Sequence, residues 1–303
     1  MSLGSSSPSS AQPRWATAAT PGRANFAGKV SAVARALGFG GLMPWQAQVI
    51  GTGTEIREDG LPAYREVVEE VPRQQGKSIG TLSLMLARAL DVPGTMISYS
   101  AQTRLAGRRR MLDVWYPRIR QSPLRGLVGV RKGYGSEAFT FANGSLLMLA
   151  SGTEASDHGD TLDLAVIDEA WAQRSAVIEQ ALKPAMLTRP AAQLWICSTA
   201  GNEFSSYFRG KVDEGRARCE VGVPGSGAYF GWPALDEADP GDPETWRGCM
   251  PALGITVSEE TVAADFETME LAEFRRACLC QWPEVANPGW KLFTERDWQE
   301  AIR

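Results

Sequence analysis

The chain has 303 residues, of which 44% are hydrophobic and 22% charged, with a formal net charge of −4. That length and balance suit a globular protein with a substantial core, built as one large domain or one domain with an appendage. They exclude a membrane-spanning chain, because no apolar run approaches the roughly 20 residues that cross a bilayer, and the net charge does not advertise a nucleic-acid binder.

Residues 1–24 read as a disordered arm. Ser, Ala, Thr and Pro dominate its first 22 residues, and the apolar core of a secretory signal is missing, so a cytoplasmic protein is expected. Five cysteines (Cys197, Cys219, Cys249, Cys278 and Cys280) and a single histidine, His158, are spaced unlike a zinc site and read as reduced thiols and a structural loop residue. Apolar residues at Phe26, Val30, Val33 and Leu37 have helical spacing, and Gly38-Phe39-Gly40-Gly41 ends that helix. Pro44-Trp45-Gln46 then opens another. The Gln46 amide can donate and accept together, as reading an adenine edge requires, although a lone Gln is usually a surface residue.

Residues 63–70 alternate as a strand might, and residues 79–90 form an apolar helix. Between them lies Val71-Pro72-Arg73-Gln74-Gln75-Gly76-Lys77-Ser78. A loop that runs from a strand into a helix N-terminus offers unpaired N–H groups and partial positive charge to a phosphate. In such loops the lysine reaches the β- and γ-phosphates and the next hydroxyl ligates Mg²⁺, roles that fall to Lys77 and Ser78. Val71 stands where the usual pattern has its first glycine. Without support from the rest of the chain, a helix cap with a chance Gly-Lys-Ser reads equally well.

Downstream, strands and helices alternate. Residues 95–100 are β-rich, and residues 102–119 are helical and carry arginines. Between Arg104 and Lys132 nine basic residues face one acid, a local charge of +8. That patch is either a solvated helix face or a nucleic-acid contact through Arg108, Arg109 and Arg110. Asn143-Gly144 marks a hairpin over residues 138–150, and residues 162–167 and 193–198 are short apolar strands separated by a helix over residues 176–187. Such alternation predicts an α/β fold with a mainly parallel sheet covered on both faces, which binds ligands at the carboxyl ends of its strands.

From about residue 220 the character changes to Pro/Gly clusters, tryptophans and a local charge of −10 over residues 236–273, with one helix over residues 259–280. This reads as a smaller subdomain, giving a core over 25–219 and a lid and linker over 220–303.

The strand ending in Ile167-Asp168-Glu169 completes the chemistry. An acid at the carboxyl end of a buried strand can hold Mg²⁺, and the next Glu can orient and deprotonate a water for attack on the γ-phosphate. Asp168 and Glu169 take those roles, although acids after a strand also serve simply as helix caps. Ser198-Thr199-Ala200 ends a further strand with small hydroxyl residues that could sense the γ-phosphate.

Together these residues resemble the large terminase subunit of tailed bacteriophages. Pro72-Arg73-x-x-Gly76-Lys77-Ser78 is similar to that family's phosphate loop without the first glycine, and Pro44-Trp45-Gln46 to its adenine motif. Ser151-Gly152, Gly159 and Ile167-Asp168-Glu169-Ala170-Trp171 resemble its acidic strand, and Ser198-Thr199-Ala200 its coupling motif. The resemblance implies an additional-strand, RecA-like P-loop NTPase fold with a lid. It further implies ATP bound by Gln46, Arg73, Gln74, Gln75, Gly76, Lys77 and Ser78, and Mg²⁺ held by Ser78 and Asp168. An arginine finger is implied at Arg73 in cis or Arg104 in trans. The implied partners are double-stranded DNA, a homo-oligomeric ring, a portal protein and a small terminase subunit, in the cytoplasm of an infected bacterium. Family members continue into a nuclease domain with clustered carboxylates. Here the chain stops at Arg303 without that cluster, so nuclease activity is not expected. A helicase-like ATPase and a non-hydrolysing ATP-binding scaffold are the competing readings.

Overall fold

A computed structural model of the chain describes residues 11–150, 161–222 and 225–283. The segment holding Ser151-Gly152, His158 and Gly159 lies outside them. In chain order the elements begin with β1 (Trp15–Ala16), α1 (Ala27–Ala36), α2 (Pro44–Gly53), β2 (Glu66–Glu70), α3 (Lys77–Asp91) and β3 (Met96–Ser100). An interrupted helix follows: α4 (Arg104–Arg109), a π-helical turn (Arg110–Trp115) and α5 (Tyr116–Arg120). Next come β4 (Val128–Arg131), β5 (Ala138–Phe141), β6 (Leu146–Leu149), β7 (Leu164–Asp168), α6 (Val177–Ala185), β8 (Gln193–Ser198), α7 (Ser206–Val221) and β9 (Gly227–Gly231). Three helices close the described chain: α8 (Pro243–Cys249), α9 (Glu259–Thr268) and α10 (Leu271–Leu279).

The nine strands form one sheet in the order β1-β9-β2-β8-β7-β3-β6-β5-β4. From β9 to β6 every pairing is parallel, and β1, β5 and β4 pair antiparallel at the two edges. The fold is therefore an α/β sheet, parallel through its centre, in which β8 lies between β2, which leads into the Gly76-Lys77-Ser78 loop, and β7, which ends at Asp168. Central strands must be apolar on both sides because helices cover both faces. Accordingly, β7 and β8 are buried at every position. Val67, Val166 and Trp195 pack into one core with α1, α2 and α3, while Val68, Ile167 and Ile196 pack into the other with Leu182 of α6 and Phe208 of α7.

Three findings differ from the sequence reading. Within the expected arm, Trp15–Ala16 pair antiparallel with β9, and the Trp15 indole N–H donates to Glu220 at 3.2 Å. The core does not end at residue 219: α7 runs across that point and β9 joins the sheet beside β2. The helix expected over residues 259–280 is two helices, because Met269 and Glu270 take extended backbone angles and the Glu270 carboxylate caps the N–H groups of Ala272 and Glu273. A third cluster holds the resulting helices together, with Trp246, Val262, Phe274 and Leu279 buried at its centre. Each such side chain contributes roughly 1.5–3 kcal/mol by leaving water. The hairpin at Asn143-Gly144 forms as read, with Gly144 in the left-handed region at φ 83°.

Candidate active site

The carboxyl ends of β2, β8 and β7 are adjacent, so the three motifs meet. The Val71 N–H donates to the Ser198 carbonyl at 3.0 Å, sewing the start of the phosphate loop to β8. Gly76 ends the loop at φ 93°, and a Cβ there would fall 2.5 Å from the Met43 Cε and 3.0 Å from the Gln46 Nε2. Only glycine combines that backbone angle with that proximity. Lys77, 6% exposed, turns back and donates to the carbonyls of Val71 at 3.2 Å and Pro72 at 3.1 Å, so its ammonium sits inside the loop it closes. Ser78 is half-buried on the first turn of α3. Among the described residues, the non-glycine positions with positive φ are Gln74, Glu169 and Cys280. All three belong to this site or its border with the last helices, where strained backbone tends to collect.

Gln46 does not stand ready to read a base. Its Oε1 accepts the Met43 N–H at 2.8 Å and its Nε2 donates to the Gly76 carbonyl at 2.8 Å, so the buried amide caps α2 and shapes the loop. Trp45 assists from the same turn, donating to the Gln75 carbonyl at 3.2 Å.

Asp168 is fully buried at the end of β7. Its Oδ1 accepts the Glu169 N–H at 2.9 Å, and its Oδ2 accepts the Tyr99 hydroxyl at 3.0 Å and the Arg110 guanidinium. Burial pushes its carboxyl above the usual range, with Arg110 pulling it back and Glu169 adding to the rise. Glu169 is held by the Trp171 indole, whose Nε1 donates to its Oε2 at 2.8 Å. The Ser198 hydroxyl accepts the Trp171 N–H at 3.0 Å, tying β8 to the turn that carries Glu169.

The arginines are distributed in ways the sequence did not indicate. Arg73 reaches Glu273 on α10 at 3.1 Å and lies near the Trp171 ring. Arg104 donates to the buried Glu137 at 2.5 Å and to the Ala150 carbonyl at 3.0 Å, and Arg108 donates to the same Glu137 at 3.0 Å. Arg110 pairs with Asp168, which leaves Arg109 as the exposed member of the run expected to touch DNA.

The last helices grip this site directly. The Ala252 N–H donates to the Gln75 Oε1 at 2.7 Å, and the Arg73 N–H to the Ala277 carbonyl at 2.8 Å. Arg276 donates to the Ala200 carbonyl at 2.9 Å, pairs with Glu273 at 2.7 Å and stacks on Trp171, while Thr199 donates to the Arg276 carbonyl at 3.3 Å. A cleft of about 1020 Å³ opens beside this contact, walled by Trp171, Asn202, Glu273, Arg276 and Trp282; Lys77 and Ser78 do not line it. Glu69 and Glu70, which belong to no motif in the sequence, also border the site. Glu70 is buried and accepts from Tyr229 at 2.6 Å, Arg216 at 2.8 Å and Trp282 at 2.5 Å. Glu69 lines a small cavity with Lys77 and Trp195, and its Oε1 has no hydrogen-bond partner among the described residues. Burial pushes its carboxyl up to about 7, against the pull of Lys77 and the Cys197 thiol. Two acids closing an apolar strand were the available signal.

Solved structures share this fold. The HK97 bacteriophage large terminase matches with a TM-score of 0.71 at 19% identity, over 86% of this chain and 56% of its own. The ATPase domain of the Thermus phage P74-26 large terminase matches with a TM-score of 0.50 at 17% identity, over 72% of this chain and 88% of its own. The fold is thus that of the ATPase domains of phage large terminases, and the chain spans a little over half the length of the HK97 protein. No protein-family model and no curated relative matches the sequence.

Proposed function

We propose that the chain hydrolyses ATP to drive double-stranded DNA into a viral procapsid, as the ATPase domain of a large terminase. The observation that carries this reading is the insertion of β8 between β2 and β7, which gathers Lys77 and Ser78, Asp168 and Glu169, and Ser198 and Thr199 at neighbouring strand ends.

The α3 N-terminus and the Lys77 ammonium bind the β- and γ-phosphates, with Lys77 exchanging its loop carbonyls for phosphate oxygens. The donor set suits Mg²⁺: hard oxygens from the Ser78 hydroxyl and the Asp168 carboxylate, the latter already bonded to a cationic side chain. Mg²⁺ there would neutralise charge between the phosphates. Glu169, aimed by Trp171, orients a water and accepts its proton. Thr199 and Ala200 connect that chemistry to α10 through Arg276, so loss of the γ-phosphate on the core side can shift the last helices. Arg73, on the loop and bonded to α10, is the arginine placed to follow that shift in cis. The ring, the portal protein and the small subunit are further parts of this proposal.

The test is ATP turnover of wild type and Glu169→Gln with and without DNA. Turnover in the wild type that falls by about 10³-fold in the variant, with nucleotide still bound, supports the reading. A wild type that binds ATP but is inert at every protein concentration, with DNA present, makes the chain a nucleotide-binding scaffold instead.

A further inference from the structure

We propose that Arg110 competes with a divalent cation for Asp168: its guanidinium holds the Asp168 carboxylate and must leave before a divalent cation can bind there. This rests on the ATPase reading above and assigns Arg110 a task within that site, not on DNA.

Of the arginines on this helix, two share one carboxylate and a third turns to another. Arg104 and Arg108 are four residues apart, lie on one helix face and share Glu137. Arg110, two residues beyond Arg108 on α-helical backbone angles, points about 200° away from it around the helix axis. A π-helical turn follows over Arg110–Trp115, and such turns recur at functional sites. The Arg110 Nη1 lies against both the Asp168 Oδ2 and the Tyr99 hydroxyl, the latter at 2.9 Å. Tyr99 is itself fixed by burial and by Trp115, whose ring centroid lies 4.8 Å away and which belongs to the same π turn.

The charge arrangement fits a placeholder. Asp168 is completely buried, and an unpaired buried carboxylate is costly, so a cation must accompany it, and here Arg110 does. The Arg110 side chain is 26% exposed whereas that of Asp168 is 0% exposed, so the guanidinium is the partner able to swing outward. A guanidinium and a divalent ion cannot both sit on Oδ2, since like charges a few ångströms apart in a poorly screened site repel strongly. Binding of the metal therefore excludes Arg110. Arg110 is accordingly a positioning residue that acts through Asp168.

Binding of Mn²⁺, a spectroscopic probe of the divalent site, tests this by electron paramagnetic resonance at pH 8 with saturating ADP. Arg110→Gln removes the competitor and is expected to tighten Mn²⁺ about tenfold, with metal-free ADP affinity within twofold of wild type. Arg110→Lys keeps the charge but loses the forked geometry, and an increase of about threefold is expected. Mn²⁺ affinity that is unchanged or weaker in both variants overturns the proposal, as does a lysine variant that tightens more than the glutamine variant. If Arg110→Gln does not fold, Arg110→Lys alone decides by the same sign. A wild type that binds no ADP defeats the ATPase reading itself, whereas ADP and Mn²⁺ binding untouched by either variant defeats only the role of Arg110.

Discussion

Glu69→Gln isolates the carboxylate beneath the phosphate loop. Its carboxyl midpoint rises from 4.5 to about 7 on folding because burial disfavours the charge more than Lys77 and Cys197 favour it. A raised folded midpoint means that the folded state keeps the proton while the unfolded state releases it. The stabilising contribution is therefore complete below pH 4.5 and lost as pH climbs through 7. Its full extent is about 3 kcal/mol, most of which falls between pH 5 and pH 8. Glutamine has nearly the same shape and no charge to bury, so the variant escapes that loss. Thermal unfolding followed by fluorescence at the two pH values reads the effect directly. The melting-temperature difference, variant minus wild type, should grow by about 5–10 °C from pH 5 to pH 8. A difference that stays constant across that range refutes a neutral, burial-dominated Glu69 and implies that Lys77 holds it ionised.

Gly76→Ala must adopt φ 93° and push Met43 and Gln46 aside. A loss of about 2 kcal/mol in urea unfolding and at least tenfold weaker ATP binding are expected, against the near-neutral effect of Gly126→Ala, where a Cβ meets nothing within 4 Å. Arg276→Ala cuts the contacts to Ala200, Glu273 and Trp171 together. It should lower kcat at least tenfold while ADP affinity stays within threefold, and an equal loss in both would show that the residue merely supports the fold. Arg109→Glu should weaken binding to duplex DNA and reduce the dependence of log K on log salt by about one, whereas Arg108→Gln should cost stability through Glu137 and leave that slope unchanged.

The phosphate loop, the acidic strand end, the hydroxyl-rich strand end and the α/β alternation were legible in the sequence because each is a local pattern. A strand needs a short apolar run, a helix its period, and a phosphate loop a glycine with its following lysine and hydroxyl. Residues 193–198 were recognisable as a strand on those grounds alone. That this strand lies between β2 and β7 was fixed by sheet pairing between residues more than 100 positions apart in one direction and about 30 in the other, which no local pattern encodes. Side-chain destinations were equally hidden. Gln46 was singled out by type, but its partners Met43 and Gly76 were decided by how α2 docks on the loop. Arg108, Arg109 and Arg110 form one basic run in the sequence, yet the helical step of about 100° per residue sends them to an ion pair with Glu137, an exposed position and a partner in Asp168. The amino-acid sequence determined which chemical groups this protein carries and in what order. Long-range packing and helix register decided which of them meet, because burial and direction are properties of the assembled sheet and not of any one segment.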